Sequence, residues 1–305
     1  MNDVLHTVDC DYLGAEFACA YLRVSGGEAA VIETNTSHAA PKILAALDAA
    51  GVARESVRYV VITHIHLDHA GGAHALMRAL PRATLLAHPR AARHAVDPSR
   101  IVAGATAVYG AARFAELYGE VLPIDAARVR AMDDDSEVPF GAGALRFLHT
   151  RGHANHHMVV HDPQRDTVFT GDAFGLVYPA LQRAARFIFP STSPTDFDGP
   201  AAHASVDRIV ALGTGSVCLT HYGEHTRPAE LAPSLHRWLD RAEALVAEVK
   251  SLDPAAREGF LREQLRTAFA EESARAGLAL SEAEWALLAL DIDLNAQGLA
   301  VAAGR

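Results

Sequence analysis

The chain has 305 residues, of which 50% are hydrophobic, and its formal net charge at pH 7 is −10. This length allows one large domain or one domain with an appendage, and the apolar content is enough for a sizeable core. The negative charge argues against nucleic acid as substrate or partner, because such binding requires basic patches.

The first predicted elements are two strands and a helix. Ala20–Val24 and Ala29–Glu33 are short apolar runs on either side of Gly26 and Gly27, a pattern that predicts a hairpin with a glycine-rich turn. Pro41–Ala50 has a proline in its first turn, and a glycine follows it, which favours a helix that ends there.

A histidine-rich motif follows the next strand. The apolar run Val57–Thr63 predicts a buried strand, and His64-x-His66-x-Asp68-His69 comes directly after it. Two glycines and an apolar helical pattern through Leu80 complete the segment. Since burying so many polar side chains without partners is costly, the motif indicates a metal site on the loop between strand and helix. The alternative is a polar surface loop.

The spacing within this motif suits two ions. Residues i and i+2 of an extended chain point the same way, so His64 and His66 can converge on one ion. Asp68 and His69 lie past the bend and can face a second ion. Imidazole and carboxylate ligands suit zinc, iron or manganese. Two such ions with a trapped hydroxide form a hydrolytic site, because a bound metal lowers the pKa of water to about 7.

A helical segment is predicted next. After the strand Thr84–Ala87, the range His88–Gly119 is mostly helical in pattern and is broken by Pro98. Helices inserted between ligand loops commonly cover an active site. The aromatic residues of the insertion either line such a roof or only pack the insertion on the core; they are Tyr109, Phe114 and Tyr118.

Three further ligand candidates share one context. His153 follows the apolar stretch that ends at Leu148, Asp172 follows the strand Val168–Thr170, and His221 follows the strand Ser216–Thr220. A ligand placed where a buried strand ends, usually beside a glycine, predicts that these side chains lie on loops at one edge of a sheet core.

The segment Tyr178–Pro194 is rich in loop residues and is expected to shape a substrate pocket. Arg183 or Arg186 is a candidate to hold a substrate carboxylate, the alternative being a plain surface role. A helix is predicted over Asp196–Leu212.

The pattern changes to helices alone near residue 227. Arg227–Lys250, Pro254–Arg275 and Ser281–Ala302 are predicted helices, and Ser281 with Glu284 has the form of a capping box. We therefore expect residues 1–226 to form a catalytic domain with a helical insertion at about 88–119. Residues 227–305 are expected to form a C-terminal helical extension, which serves substrate contact or homodimer formation.

The motif and the three later ligands resemble the metallo-β-lactamase superfamily, whose signature is His-x-His-x-Asp-His followed by single His, Asp and His ligands. The resemblance covers about Tyr21–Tyr222. It implies a four-layer αββα sandwich with two divalent metal ions. It also implies which residues hold each ion: His64, His66 and His153 hold the first, Asp68, His69 and His221 hold the second, and Asp172 bridges the two.

The resemblance also separates branches of the superfamily. Asp172 stands where zinc β-lactamases of the cysteine-ligand type have a cysteine, and this favours the glyoxalase II, lactonase and thioesterase branch. Flavodiiron-type members have a glutamate in place of His66. Quorum-sensing lactonases place a tyrosine three residues after the bridging aspartate, where this chain has Gly175, with Tyr178 three residues further on.

The function expected is a dinuclear metal hydrolase that cleaves an ester, thioester or lactone by attack of a metal-bound hydroxide, with zinc favoured over iron or manganese. Asp68 is the candidate proton shuttle. One alternative is an iron protein that binds or activates O₂, like diiron oxygen-binding proteins or persulfide dioxygenases. A second is a regulatory or sensor protein that keeps its metals with little turnover.

The remaining twelve histidines divide into three groups. His149 and His161 fall at predicted strand ends and are expected to form hydrogen bonds there. His156, His157 and His225 adjoin ligands and are candidates for the pocket or for support of the ligands, together with Tyr178 and Arg183. Surface positions are expected for seven others: His6, His38, His74, His88, His94, His203 and His236.

The cysteines and the N-terminus indicate the compartment. Cys10, Cys19 and Cys218 match no motif spacing and are expected to be buried thiols of a cytoplasmic protein. Residues 1–20 lack the apolar segment of a signal peptide, and no apolar run is expected to reach the length of a membrane helix. A small-molecule substrate is thus expected, without membrane or nucleic acid.

Overall fold

The computed structural model describes residues 3–192 and 196–305, so the last two residues of the predicted pocket segment Tyr178–Pro194 lie outside it. The chain forms two compact units. Unit 1 comprises Met1–His149, His156–Gly171 and Ser216–Glu224, and unit 2 comprises Thr150–Asn155, Asp172–Gly215 and His225–Arg305. The domain boundary expected between residues 226 and 227 stays a prediction.

The first sheet of unit 1 has six strands in sequence order. They are β1 (Val4–Asp9), β2 (Cys19–Ser25), β3 (Glu28–Ile32), β4 (Val57–Val61), β5 (Thr84–Ala87) and β6 (Val129–Ala131). The first three pair antiparallel and the last four pair parallel. Gly26 and Gly27 form the predicted turn between β2 and β3 with φ of 57° and 85°, a conformation that glycine adopts at little cost.

The second sheet has six strands in the reverse order. They are β7 (Ser136–Phe140), β8 (Gly143–His149), β9 (Met158–Asp162), β10 (Thr167–Gly171), β11 (Ser216–Leu219) and β12 (Gly223–Thr226). The strands β7 to β10 pair antiparallel, while β10 and β11 pair parallel. The strands β10 and β11 therefore end at the same edge, which places Asp172 and His221 after neighbouring strand ends.

The helices of unit 1 lie between its strands in the chain. They are α1 (Ala40–Ala49), α2 (Leu67–Ala70), α3 (Ala73–Ala79), α4 (Pro89–Val96), α5 (Ser99–Tyr109) and α6 (Ala111–Tyr118). The helix predicted to follow the two glycines and run through Leu80 is confirmed as α3, whereas Leu67–Ala70, expected on a loop, form the short helix α2. The predicted helical insertion is confirmed, with a further break at Gly110 that the sequence reading did not include.

Side chains point alternately to the two faces of each strand, so unit 1 has two separate buried cores. Ile32 and Val61 of the first sheet join Phe147 and Phe169 of the second in one buried cluster, so the sheets pack face to face. The opposite face of the first sheet packs on α1, α3 and α4 in a separate buried cluster. The four side chains named are at most 1% exposed.

The helical insertion packs on the helix that carries the histidine-rich motif. Phe114 and Tyr118 of α6 form a buried cluster with Leu67 of α2, and Tyr12 is packed against it. Tyr109 is 40% exposed. Phe114 and Tyr118 therefore pack the insertion on the core, which was one of the two alternatives for these aromatic residues. Their contact with Leu67 places the insertion beside Asp68.

The described residues of unit 2 form four long helices. They are α7 (Gly199–Val210), α8 (Pro228–Val249), α9 (Pro254–Arg275) and α10 (Glu282–Ala303). Aromatic packing forms its core, where the Phe269 ring lies 4.8 Å from Trp238 and 4.9 Å from Phe189. The predicted capping box of Ser281 and Glu284 is confirmed at the start of α10.

Helix α10 corrects one expectation. It has a mean hydropathy of 1.3 over its most apolar window and is long enough to cross a membrane, whereas no apolar run of that length was expected. The window is 44% buried, and α10 packs on α9, as the core helix of a soluble protein also would. This length and composition alone are weak evidence for a membrane span.

Two of the seven histidines expected at the surface are buried. His74 and His88 are each 6% exposed. His88 precedes α4 and its Nδ1 accepts a hydrogen bond from the Arg90 backbone N–H, so it caps the helix instead of facing solvent. Its ring also lies 4.1 Å from that of His149. Burial lowers the pKa of both His74 and His88.

Candidate metal centre

The histidine-rich motif turns from strand to helix after β4. His64 lies in the bend after β4, His66 is the residue before α2, and α2 carries Asp68 and His69. The His64 ring lies 4.5 Å from that of His66 and 4.0 Å from that of His69. The fold thus brings the three imidazoles of the motif together, as the spacing predicts.

Asp68, His69 and His221 form a cluster of potential metal ligands in unit 1. The Asp68 Oδ2 atom lies 3.7 Å from His69 Nε2 and 3.6 Å from His221 Nε2. One ligand atom from each of the three residues lies within 4.8 Å of the others. Two imidazole nitrogens and a carboxylate oxygen at these separations fit a zinc, iron or manganese ion with little movement of the side chains.

A backbone carbonyl orients His221. Its Nδ1 donates a hydrogen bond to the Phe17 carbonyl oxygen at 2.9 Å, and the Phe17 ring packs edge-on at 5.7 Å. Because Nδ1 carries the proton in this bond, Nε2 is left as the ligand atom, and Nε2 is the atom that faces Asp68.

Unit 2 holds the other two predicted ligands as a pair. His153 Nε2 lies 3.5 Å from Asp172 Oδ2, and both side chains are buried. His153 Nδ1 donates to the Ser191 carbonyl oxygen at 3.1 Å, which again leaves Nε2 as the ligand atom.

Sequence reasoning missed a buried carboxylate behind the motif. Glu33 follows β3, is 1% exposed, and places Oε1 3.4 Å from His69 Nδ1. The Thr63 hydroxyl donates to the same oxygen. In the sequence Glu33 reads as the last residue of a strand, and only its position after a fully apolar run could have suggested burial.

The residues after Glu33 form hydrogen bonds with the helical part of the histidine-rich motif. Thr34 Oγ1 donates to the His69 carbonyl oxygen at 2.7 Å, and Asn35 Nδ2 donates to that of Asp68 at 3.0 Å. Gly72 N–H donates to the Asn35 carbonyl oxygen at 2.8 Å. These bonds fix the turn that presents Asp68 and His69.

Two tyrosines lie near the Asp68 carboxylate. Burial, and secondarily the charge of Asp68, raises the pKa of Tyr12 and of Tyr118 well above the usual range of a phenol. Both phenols therefore stay protonated and can donate hydrogen bonds beside the motif. Tyr12 was not among the predicted site residues.

The predicted pocket residues fall in two places. In unit 1 the His156 ring lies 5.4 Å from that of His66, and the buried His157 ring lies 4.9 Å from that of His64. The structure thus brings both histidines beside the ligands.

Three further predicted pocket residues belong to unit 2. Tyr178 is buried and donates to Asp291 Oδ1 of α10 at 3.1 Å. Arg183 forms an ion pair with Glu284 and donates to the Ala279 carbonyl oxygen. His225 lies in β12. Contacts with α10 and the turn before it thus engage Tyr178 and Arg183, and a substrate role for either stays a prediction, as it does for His225.

Known proteins share this fold. The archaeal metallo-β-lactamase fold-containing protein ST1585 of Sulfurisphaera tokodaii is 26% identical over 173 residues, which are 55% of this chain and 62% of that protein. This alignment thus spans less than two thirds of its length. The crystal structure of ST1585 matches 98% of this chain and 99% of its own, at 20% identity and a TM-score of 0.67.

Two other solved structures are similar in fold. The metallo-β-lactamase family protein TTHA1429 of Thermus thermophilus matches 80% of this chain and 82% of its own, at 20% identity and a TM-score of 0.59. The Flv1 flavodiiron core of Synechocystis sp. PCC6803 matches 75% of this chain and 54% of its own, at 16% identity and a TM-score of 0.51. At these identities the likeness shows the fold alone.

The family model settles the assignment. The model described as the metallo-β-lactamase superfamily matches residues 14–221, a range that contains all seven predicted ligands. The two sheets with flanking helices and the C-terminal helical part confirm the predicted fold class. Over most of its length, therefore, this chain belongs to the metallo-β-lactamase superfamily.

Proposed function

We propose that the protein is a dinuclear metal hydrolase that cleaves an ester, a thioester or a lactone. The observation that carries the proposal is the cluster of Asp68, His69 and His221. This cluster would hold a second ion, in addition to the first ion that His64 and His66 would hold. His153 and Asp172 complete the family's ligand set, with Asp172 as the bridging ligand. Zinc is the favoured metal.

The bound ions would supply a nucleophilic water of lowered pKa and a Lewis acid for the carbonyl oxygen. The residues of the chain have separate tasks. His69 and His221 are at most 5% exposed in their side chains, whereas the Asp68 side chain is 27% exposed. Asp68 is therefore the ligand best placed to take up a proton from the attacking water and to return it to the leaving group.

Asp172 supports the choice of substrate class. An aspartate at position 172, where cysteine-type β-lactamases have a cysteine, supports the proposed likeness to glyoxalase II, the lactonases and the thioesterases. Gly175 stands where the quorum-sensing lactonases have a tyrosine, and the Tyr178 hydroxyl is engaged by Asp291. We therefore rank thioesters first, then esters, then lactones.

The partner proposed is a small molecule, in a cytoplasmic protein that binds neither nucleic acid nor membrane. The net charge of −10 and the acidic pI near 5.9 support the exclusion of nucleic acid. A homodimer is left open.

Elemental analysis with a substrate panel tests the proposal. Zinc-loaded protein should keep two ions per chain after dialysis, and it should hydrolyse at least one of a thioester, an ester and a lactone. Asp172→Ala should lose more metal than His66→Ala, because the bridging residue contacts both ions. One ion or fewer in fully loaded wild-type protein would contradict the dinuclear site.

An oxidative function is the second candidate, and the likeness in fold to the Flv1 flavodiiron core supports it. Iron-loaded protein would then bind O₂ while the panel above gives no hydrolysis with any metal. His66 argues against it, because flavodiiron-type members have a glutamate at this position.

A further inference from the structure

A cavity of about 160 Å³ lies in unit 2, between the loop 185–188 and the helices α8 and α9. Arg237 lines this cavity from α8, while Glu272 and Arg275 line it from α9. Arg186, a candidate in the sequence for holding a substrate carboxylate, lines it from the loop. The volume is several times that of one bound water molecule, so the cavity can admit a small ligand.

Hydrogen bonds hold the three arginines of this cavity in place. Arg186 donates from Nη2 to Thr226 Oγ1 at 3.1 Å and from Nη1 to the Thr226 carbonyl oxygen. Arg237 Nη2 donates to Glu272 Oε2 at 3.1 Å, and Arg275 Nε donates to Glu272 Oε1 at 3.2 Å. The Glu272 side chain, which is 13% exposed, thus holds two of the three guanidinium groups at once.

The guanidinium groups have more N–H donors than these bonds use. Within the described residues, Arg275 donates one hydrogen bond and Arg186 donates two, whereas a guanidinium has donors on every one of its nitrogens. Both oxygens of Glu272 already accept from arginines. The remaining donors are therefore available to a ligand with several acceptor oxygens.

The charged side chains around the cavity have an excess of positive charge. Three arginines and the carboxylate of Glu272 give a formal charge of +2. The chain as a whole has a net charge of −10, so this patch is opposite in sign to the protein as a whole. An anion with two negative charges would neutralise the patch, whereas a single carboxylate would neutralise only half of it.

Contacts with the core hold the walls of the cavity in place before any ligand binds. Phe187 of the loop is 2% exposed, and its ring lies 6.3 Å from that of Phe269 on α9. The Ala185 backbone N–H donates to the Ala276 carbonyl oxygen at 3.1 Å, which joins the loop to the end of α9. Since little of the protein must become ordered, a ligand would bind at a small entropic cost.

The carbonyl end of α9, which borders the cavity, is compatible with an anion. Such a helix end has a partial negative charge that would oppose a negative ligand. Here the carbonyl oxygens of Glu272 and Ala276 accept hydrogen bonds from backbone N–H groups at 3.0 and 3.1 Å. Arg275 adds a full positive charge in the same turn, which offsets the charge of the helix end.

We propose that this cavity binds a phosphate group, either as free phosphate or as the phosphate of a small organic molecule. A phosphate monoester has a charge of about −1.5 to −2 at pH 7, and its oxygens match the planar N–H pairs of arginine. Arg186, Arg237 and Arg275 would donate to the phosphate. The Ser234 hydroxyl lines the cavity and accepts from Arg237 at 2.9 Å, so its own proton would be directed to the phosphate as well. None of these residues is a predicted metal ligand.

Calorimetric titration of the zinc-loaded protein at pH 7.5 and constant ionic strength tests the proposal, with inorganic phosphate and phenyl phosphate as the probes. Wild type should bind at least one probe with a dissociation constant of about 1 mM or lower. Arg237→Ala and Arg275→Ala should each weaken this binding by roughly tenfold or more, because each removes a charge-assisted hydrogen bond. Tighter binding of phenyl phosphate would identify an organic phosphate as the ligand, and tighter binding of inorganic phosphate would identify free phosphate.

Arg266→Ala is the matched control. Arg266 is also an exposed arginine of α9, but its guanidinium lies over the Trp285 ring and is not among the groups that line the cavity. The control changes the net charge by the same amount as Arg275→Ala and should bind phosphate as wild type does. Phosphate bound to the zinc ions would not depend on these arginines, so only the component lost in Arg275→Ala reports on the cavity.

The Arg275 side chain is 63% exposed, so its variant keeps the test valid even if Arg237→Ala fails to fold. Equal phosphate affinity in wild type and Arg275→Ala, or no phosphate binding in wild type, would overturn the proposal. An equal loss in Arg266→Ala and Arg275→Ala would overturn it too, since it would show a general effect of net charge. Acetate binding as tight as that of phosphate would overturn the choice of a dianion. None of these results depends on turnover, so the hydrolase proposal stands or falls separately.

Discussion

Glu33 Oε1 lies 3.4 Å from Nδ1 of His69, and the Nε2 atom of the same ring faces Asp68. The carboxylate thus stands behind a predicted metal ligand and faces its other ring nitrogen. A carboxylate in this position fixes the tautomer and orientation of the imidazole and increases its basicity as a ligand. Glu33 therefore belongs to the candidate metal centre as a residue that supports the predicted ligand His69.

Replacing Glu33 tests this relationship. Glu33→Gln keeps the size of the side chain but removes its charge, and we expect zinc affinity to fall by roughly 10- to 100-fold. Competition with a chelator of known affinity measures the change. Glu28→Gln is the control, since Glu28 begins the same strand but pairs with Arg58 on the surface. Equal zinc affinity in the two variants would contradict the role of Glu33.

The turn after the motif depends on the absence of a side chain at Gly72. Its φ of −83° suits any residue, so space is the limiting factor. A Cβ would lie 2.6 Å from the Thr36 carbonyl oxygen and closer still to that of Thr34. We expect Gly72→Ala to lower the free energy of unfolding by roughly 1–3 kcal/mol and to weaken zinc binding.

Gly104 provides the control for this substitution. It lies exposed in α5, and a Cβ there would meet nothing within 4 Å. Gly104→Ala should raise the free energy of unfolding by up to about 1 kcal/mol, because alanine favours a helix over glycine. Denaturant titration measures both variants. A neutral Gly72→Ala would show that the turn can relax away from Thr34 and Thr36.

The features that depend on a local sequence pattern could be predicted from the sequence alone. Thr84–Ala87 and Pro254–Arg275 have the predicted bounds, because a short β-branched and leucine-rich run and an aspartate-proline helix start are strong local signals. The clustering of Asp68, His69 and His221 was implied by the resemblance to the metallo-β-lactamase superfamily, whereas the residue pattern alone predicted only that the ligands lie on loops at one edge of a sheet core.

Features that depend on distant contacts were not predictable. Burial of Glu33 follows from a carboxylate packing under a loop that is remote in sequence. Arg183 finds its partner in Glu284, 101 residues away, and no local pattern shows that pairing. The strand β1 was missed because Val4–Asp9 mixes polar and apolar residues at an edge of the sheet. The contact between His203 and His236 was not predictable either, because the two residues are far apart in the sequence.

The cysteines give a test of the hydrolase mechanism. Cys10, Cys19 and Cys218 are free and buried, and burial raises the pKa of the Cys19 thiol to about 12. None should react with a thiol reagent in the folded protein, and all three should react after unfolding. Cys218→Ala should keep turnover within about twofold and cost about 1 kcal/mol of stability. Loss of turnover at full metal content would instead implicate a thiol nucleophile.

His88 gives the protein a pH dependence of stability. Burial, with a smaller effect of the nearby His149, lowers the pKa of His88 to about 4, from the ordinary value near 6.5. Between these two values the unfolded chain binds a proton that the folded chain does not. The free energy of unfolding therefore contains a contribution that is fully present above pH 6.5 and is lost as the pH falls toward 4.

His88→Asn removes this dependence while keeping an acceptor for the Arg90 backbone N–H, which caps α4. We expect wild type to lose more stability than the variant when the pH is lowered from 7.5 to 5.0, because asparagine does not titrate. Denaturant midpoints at both pH values measure the difference, and acid effects on other carboxylates and histidines cancel in the comparison. An NMR titration of the His88 ring should give a midpoint near 4. Parallel loss of stability in wild type and variant would show that His88 takes up its proton without opening the fold.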